Sequence, residues 1–288
     1  MMYLANSAHA GSSSVYRRIV DGFRIIIKVW RHNCSSIESI LMFAKSLSIP
    51  QRWFRHKVVV SFVSNDSVAL TFDDGPDPHI TPLVIDILQK HRAKATFFVL
   101  GKQAELYPRV IQQILDSGCE IANHSYGHPS FALISPSQRL SEIRKCRSAI
   151  GASEKKYFRP PFGHASHKTP LLASLLNYIT VCWSADVGDW ENLDADVMFK
   201  MLETRVTPGS VVLLHDRLET ATEVKFFKRD AMLTALDRFL EKTTFSFKTL
   251  SEMFSSYKMV ESDWDRNFPN SKKHLREQEF ANLKWNSF

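Results

Sequence analysis

The sequence predicts a parallel α/β fold, and three observations carry that expectation. From Val68 to about residue 255, short apolar runs rich in β-branched and aromatic residues alternate with longer stretches of helical spacing. The number of runs suits one sheet covered by helices, either open or closed into a barrel. The residues able to do chemistry cluster just after the runs, the edge at which parallel sheets build their sites.

Strands are expected at Val68–Phe72, Ala95–Val99, Cys119–Ala122, Tyr157–Arg159, Ile179–Trp183, Ser210–Leu214 and Ser246–Thr249. Helical patterns fill the gaps at Thr81–His91, Leu106–Asp116, Pro136–Ile150, Lys168–Asn177, Ala195–Arg205 and Arg229–Glu241. Residues 1–65 form a basic N-terminal extension with amphipathic helices, 66–255 the α/β domain, and 256–288 a polar C-terminal extension. Along 15–31, Val15, Ile19, Phe23, Ile26, Ile27 and Trp30 make an apolar helical face, with Arg17, Arg18, Arg24, Lys28 and Arg31 on the other positions. Such a helix can lie on an anionic membrane surface or pack on the α/β body, and the sequence leaves both open.

The chain has 288 residues, 44% hydrophobic and 23% charged, the composition of a globular protein rather than a disordered one. Its net charge of +7 lies wholly within residues 1–65, and residues 66–288 sum to zero. A neutral body offers no phosphate-tracking surface, so nucleic acid is not an expected partner. No apolar run is long enough to span a bilayer, and Arg24 and Lys28 interrupt the N-terminal apolar stretch, so neither a spanning helix nor a secretory signal is expected. These features point to a cytoplasmic protein, or one peripheral at the cytoplasmic face of the membrane. Cys34, Cys119, Cys146 and Cys182 lack CxxC spacing and read as small apolar residues in a reducing compartment.

The first run enters Thr71-Phe72-Asp73-Asp74-Gly75-Pro76. Adjacent carboxylates at a strand end repel unless a cation offsets them, although an exposed acidic turn has the same letters. The third run enters Asn123-His124-Ser125-Tyr126-Gly127-His128-Pro129, where histidines four apart can share a metal from a short turn that Pro129 keeps from being a long helix. Asp74, His124 and His128 together offer two nitrogens and one oxygen with a position left open, the donor set of a catalytic zinc. Arg159-Pro160-Pro161-Phe162-Gly163, Asp186-Val187-Gly188-Asp189-Trp190 and Leu213-Leu214-His215-Asp216 follow the next runs. His164 and His167 read as solvated loop residues, and Tyr126 lies inside the histidine motif.

The ordered set TFDDGP, HSYGH, RPPFG, DVGDW and LLHD resembles the NodB-type polysaccharide deacetylases, carbohydrate esterase family 4, over about residues 66–250. The resemblance implies a distorted (β/α) barrel, usually of seven strands. It implies a divalent metal, zinc first with cobalt or manganese able to substitute, on Asp74, His124 and His128. It implies Asp73 as base, His215 as acid, Arg159 oriented onto Asp73 and Asp189 tuning His215. Trp190 and Leu213 would line the acetyl pocket, and the backbone N–H of Phe162 would hold an oxyanion. The expected substrate is an acetylated oligo- or polysaccharide that loses N-acetyl or O-acetyl groups. A deformylase of a lipid-linked formamido sugar, or a non-catalytic carbohydrate-binding protein on the same scaffold, are the rivals.

Overall fold

The computed structural model describes residues 57–165, 168–191, 193–220 and 229–264. The amphipathic stretch 15–31, Cys34 and His167 lie outside them.

The chain enters through β1 (Val58–Val63) and β2 (Ser67–Asp73), then α1 (Ile80–Lys90), β3 (Ala95–Val99), α2 (Gly101–Leu106), α3 (Pro108–Asp116) and β4 (Glu120–Asn123). It continues through α4 (Pro136–Ile150), β5 (Glu154–Phe158), α5 (Lys168–Ser174), β6 (Ile179–Thr180), β7 (Ala185–Asp186), α6 (Ala195–Arg205) and β8 (Val211–His215). It closes with α7 (Asp230–Lys242), β9 (Ser246–Phe247), α8 (Leu250–Ser256) and β10 (Lys258–Ser262). The strands form a curled parallel sheet in the order β6-β5-β4-β3-β2-β8-β7, with β9 beside the start of β2, a half-barrel that matches the distorted (β/α) barrel expected. Among the described residues, no helix is long and apolar enough to cross a membrane.

Period-two alternation sorts the sheet into two layers. Val68, Leu70, Phe72, Phe97, Val99, Val212 and Leu214 face the helices and share one core with Val84, Leu88, Leu202 and Leu236. Ala69, Phe98, Ala122 and Val211 face the concave side, where Val59, Phe62, Leu250 and Met253 fill the bottom. The concave face is therefore apolar below and becomes polar toward the strand C-termini, at Thr71, Asp73 and His215. Helix starts follow local chemistry: Ser135 and Gln138 form a capping box ahead of α4, and Thr249 and Glu252 another ahead of α8.

The strand membership differs from the expectation in three places. Ala185–Asp186 pairs with β8 and belongs to the sheet, whereas Ser246–Phe247 touches only the first two residues of β2. The strand expected through Trp183 ends at Thr180, because the carbonyls of Val181 and Cys182 are taken by the Arg159 guanidinium. An antiparallel pair, β1 with β10, runs from either side of the expected 66 and 255 limits, and β1 bridges to Val181 and Ser210. Cys119, Cys146 and Cys182 are buried free thiols, and burial raises the pKa of each.

Candidate active site

The site stands at the C-terminal rim of the concave face. Registry places Asp73 opposite His215 on the adjacent strand, and the same side of the sheet carries Thr71 opposite Leu213. One residue beyond β2 the backbone turns left-handed at Asp74 (φ 73°) and passes through a cis Gly75–Pro76 bond. A side chain on Gly75 would collide with the Asp216 carboxylate, so only glycine fits this turn.

The loop after β4 is a built turn rather than a helix, as Pro129 predicts. Asn123 Oδ1 accepts from the Ser125 N–H at 3.0 Å, Ser125 Oγ from the His128 N–H at 3.1 Å, and Glu142 of α4 from the Tyr126 and Gly127 N–H groups at 3.1 and 2.7 Å. Ser125 and His128 sit at φ 73° and 63°, conformations that a non-glycine residue keeps only when its surroundings enforce them.

Asp74, His124 and His128 are all buried, and one donor atom from each lies within 4.8 Å of the others. Asp74 Oδ1 is 3.3 Å from His124 Nε2 and 3.0 Å from His128 Nε2, yet has no hydrogen-bond partner. Asp74 Oδ2 accepts the backbone N–H of Glu219 at 3.0 Å. His124 Nδ1 lies 2.9 Å from the Arg159 carbonyl, which can only accept, so Nδ1 carries the proton. In its neutral form, the one a metal ligand needs, His124 then turns the Nε2 lone pair toward a carboxylate oxygen. Lone pairs converging on one buried point fit a cation between them, and the backbone hydrogen bond on the far side of His124 is the outer support that metal-binding histidines use. The residues present therefore fit a divalent metal with two nitrogens and one oxygen. Burial pushes the Asp74 carboxyl up, but the neighbouring His128 and His124 imidazoles outweigh it and hold the group well below the carboxylate range.

Arg159 is fully buried and spends its guanidinium on four acceptors. Nη1 donates to Asp73 Oδ1 and Thr71 Oγ1, both at 2.8 Å, Nε to Val181 O at 3.1 Å and Nη2 to Cys182 O at 2.9 Å. The guanidinium stacks 4.1 Å from the Phe98 ring centroid. Asp73 is thereby fixed in place, with Oδ2 only 3.8 Å from His124 Nε2.

His215 Nδ1 pairs with Asp189 Oδ1 at 2.9 Å, and the His215 N–H donates to Asp189 Oδ2 at 2.8 Å. Burial works to lower the His215 pKa, but the Asp189 charge and hydrogen bond, with Asp74 and Asp73 behind them, raise it to about 9. Asp189 is itself fully buried; burial would raise its carboxyl, and the charges of His215 and Arg229 hold it low. Trp190 meets the His215 ring edge-on at 5.6 Å. Phe162 takes a left-handed conformation (φ 59°) and lays its ring 4.4 Å from that of His128.

The structure thus brings Asp73, Asp74, His124, His128, Arg159, Asp189 and His215 to one rim, with Phe162, Trp190 and Leu213 beside them. His164 is not solvated as expected: it is buried, with Nδ1 2.9 Å from Ser130 Oγ in the loop after β4, a contact between segments distant in sequence. Tyr126 donates its hydroxyl to Glu105 on α2 at 2.9 Å. The sequence motifs contain Thr71 and Asp216 with no role for either, while Glu142 and Arg229 carry no sequence signal that places them at the rim. Asp216 is buried beside Thr81, whose hydroxyl donates to it, and burial raises its carboxyl to about 7. Arg229 donates to both Asp189 and His215.

A family model described as polysaccharide deacetylase matches residues 63–181. A peptidoglycan-N-acetylglucosamine deacetylase of Bacillus cereus is 38% identical over 151 residues, 51% of this chain and 55% of that protein. The chain spans about half the length of the curated peptidoglycan deacetylases it matches. A chitooligosaccharide deacetylase of Sinorhizobium fredii is 36% identical over 182 residues, 60% of this chain and 84% of that protein. The crystal structure of the Bc1960 peptidoglycan N-acetylglucosamine deacetylase superposes with a TM-score of 0.62 at 34% identity, covering 70% of this chain and 94% of that one. With this fold, this rim and these relatives, the chain belongs to the NodB-type polysaccharide deacetylases, carbohydrate esterase family 4.

Proposed function

We propose that the protein is a metal-dependent hydrolase that removes acetyl groups from an acetylated saccharide, N-acetyl groups foremost. The observation that carries this reading is the pairing of Asp73 with His215 across two adjacent strands, next to the buried Asp74–His124–His128 cluster. Cleaving an amide needs a water that loses a proton, a carbonyl that gains negative charge, and a nitrogen that gains a proton as it leaves. A divalent ion on Asp74, His124 and His128, zinc first, would supply Lewis acidity toward the carbonyl and a more acidic water.

The chain's own groups supply the rest. Asp73, held by Arg159, takes the proton of the attacking water as its oxygen bonds to the acyl carbon. The Phe162 N–H donates to the oxyanion that develops. His215, whose Nδ1 is committed to Asp189, presents Nε2 and gives its proton to the nitrogen as the carbon–nitrogen bond breaks. Trp190 and Leu213 wall the space for the acetyl methyl beside it.

The test is the purified 288-residue chain with added zinc, offered acetylated chitooligosaccharides, acetylated peptidoglycan fragments and formylated amino sugars. Released acetate and formate are measured together. Acetate release from the acetylated saccharides is expected; formate alone would replace the reading with a deformylase, and saccharide binding without either product would replace it with a carbohydrate-binding protein.

A further inference from the structure

Arg229 opens α7 in a left-handed backbone conformation (φ 56°), and its side chain is 4% exposed. Nη1 donates to the Asp189 carbonyl at 2.6 Å, Nη2 donates to Asp189 Oδ2, and Nε and Nη2 reach the His215 carbonyl at 3.2 and 3.1 Å. Every one of these bonds ends on Asp189 or His215. Burying a guanidinium is costly unless its donors are matched, and here the matching partners are two residues of the rim. Only a planar fork can span a carboxylate, its own main-chain carbonyl and a carbonyl on another strand, so lysine is no equal substitute.

We propose that Arg229 is a positioning residue for His215, acting through Asp189. It fixes the carboxylate that aims the imidazole, and it anchors the His215 main chain from the opposite side. It also balances the buried Asp189 charge. Without it, the charged form of His215 is the carboxylate's sole close cationic partner among the hydrogen bonds described. With it, Asp189 stays paired while His215 gives up its proton and takes it back. This inference rests on the deacetylase reading, in which His215 is the acid.

The test compares wild type, Arg229→Lys and Arg229→Met for bound zinc, kcat, KM and the low-field proton resonance of His215 Nδ1–H, assigned by its loss in His215→Ala. In Arg229→Met, kcat should fall on the order of 10²-fold, the cost of a small misplacement of a reacting group. KM and zinc content should hold near wild type, and the resonance should move or broaden away. Arg229→Lys should retain the resonance with a kcat between the two. An unmoved resonance with unchanged kcat in Arg229→Met would overturn the proposal, as would a kcat loss that merely tracks zinc loss. If Arg229→Met does not fold, Arg229→Lys decides, and a wild-type kcat there overturns it. Should wild type release no acetate, the deacetylase reading fails, while the resonance still reports whether Arg229 orients the imidazole.

Discussion

His124 donates its Nδ1 proton to the main-chain carbonyl of Arg159 at 2.9 Å, so the residue that orients Asp73 also sets the tautomer of a histidine in the candidate metal cluster. One strand end thereby serves both halves of the site. Arg159 reaches Asp73 with its side chain and His124 with its backbone.

Metal binding should therefore stabilise the fold measurably. A ligand bound at a hundred times its Kd adds about 2.7 kcal/mol to unfolding. Thermal unfolding of wild type should shift upward when zinc is added to chelated protein. His128→Ala, which removes one nitrogen of the cluster, should lose the shift and the activity together.

The two aspartates should separate by experiment. Asp74→Asn should lower zinc affinity, because Asp74 Oδ1 is the oxygen that faces both imidazoles. Asp73→Asn should keep the metal and lose turnover on the order of 10²–10⁴-fold. Zinc content by mass spectrometry beside acetate release checks both; equal loss of metal in the two variants would contradict the assignment.

The His215 pKa, raised to about 9, sets a sign for pH dependence. An acid must be protonated to act, so kcat/KM should fall as pH rises through the folded pKa. A cation at Asp74 would offset part of that carboxylate's contribution, placing the alkaline limb at or below about 9. In Asp189→Asn the main raising partner is gone and burial dominates, so the limb should move toward acid. In stability terms, the Asp189–His215 pairing is fully felt below the ordinary imidazole value of 6.5 and lost as pH rises through about 9.

Asp216 works in the opposite direction. Burial raises its carboxyl from 3.8 to about 7, so the folded state holds a proton that the unfolded state has released, and stability falls as pH rises across that window. Ionising it in place costs on the order of 4 kcal/mol, at 1.36 kcal/mol per pKa unit. Asp216→Asn retains an oxygen for the Thr81 hydroxyl and carries no charge. It should match wild type at pH near 4 and be the more stable at pH 8 by urea unfolding.

The sheet and the rim were legible because their residues are contiguous: apolar runs end directly in Asp73-Asp74, in His124 and in His215-Asp216. What escaped the sequence depends on contacts between distant segments. Arg229 stands forty residues from Asp189, in a stretch whose only local signal is a helix start. β10 has the polar sequence Lys-Met-Val-Glu-Ser and becomes a strand only because β1 supplies its partner. β5 begins earlier than its apolar letters because Glu154 is buried and bonded by Asn123, Tyr178 and Lys156. His164 reads as a loop residue for the same reason, since it is buried in contact with Ser130, a residue of a distant segment, rather than with its neighbours in sequence.

In the proposed reaction, Asp73 and the Asp74–His124–His128 cluster act together to cleave an acetyl group from a saccharide. The most direct measurement is acetate released per chain from an acetylated chitooligosaccharide by zinc-loaded wild type, by chelated wild type and by zinc-loaded Asp73→Asn. Turnover is predicted only in the first, with activity returning to the second on adding zinc and the third holding a full complement of metal. Undiminished acetate release from the chelated protein, or from Asp73→Asn, would contradict it.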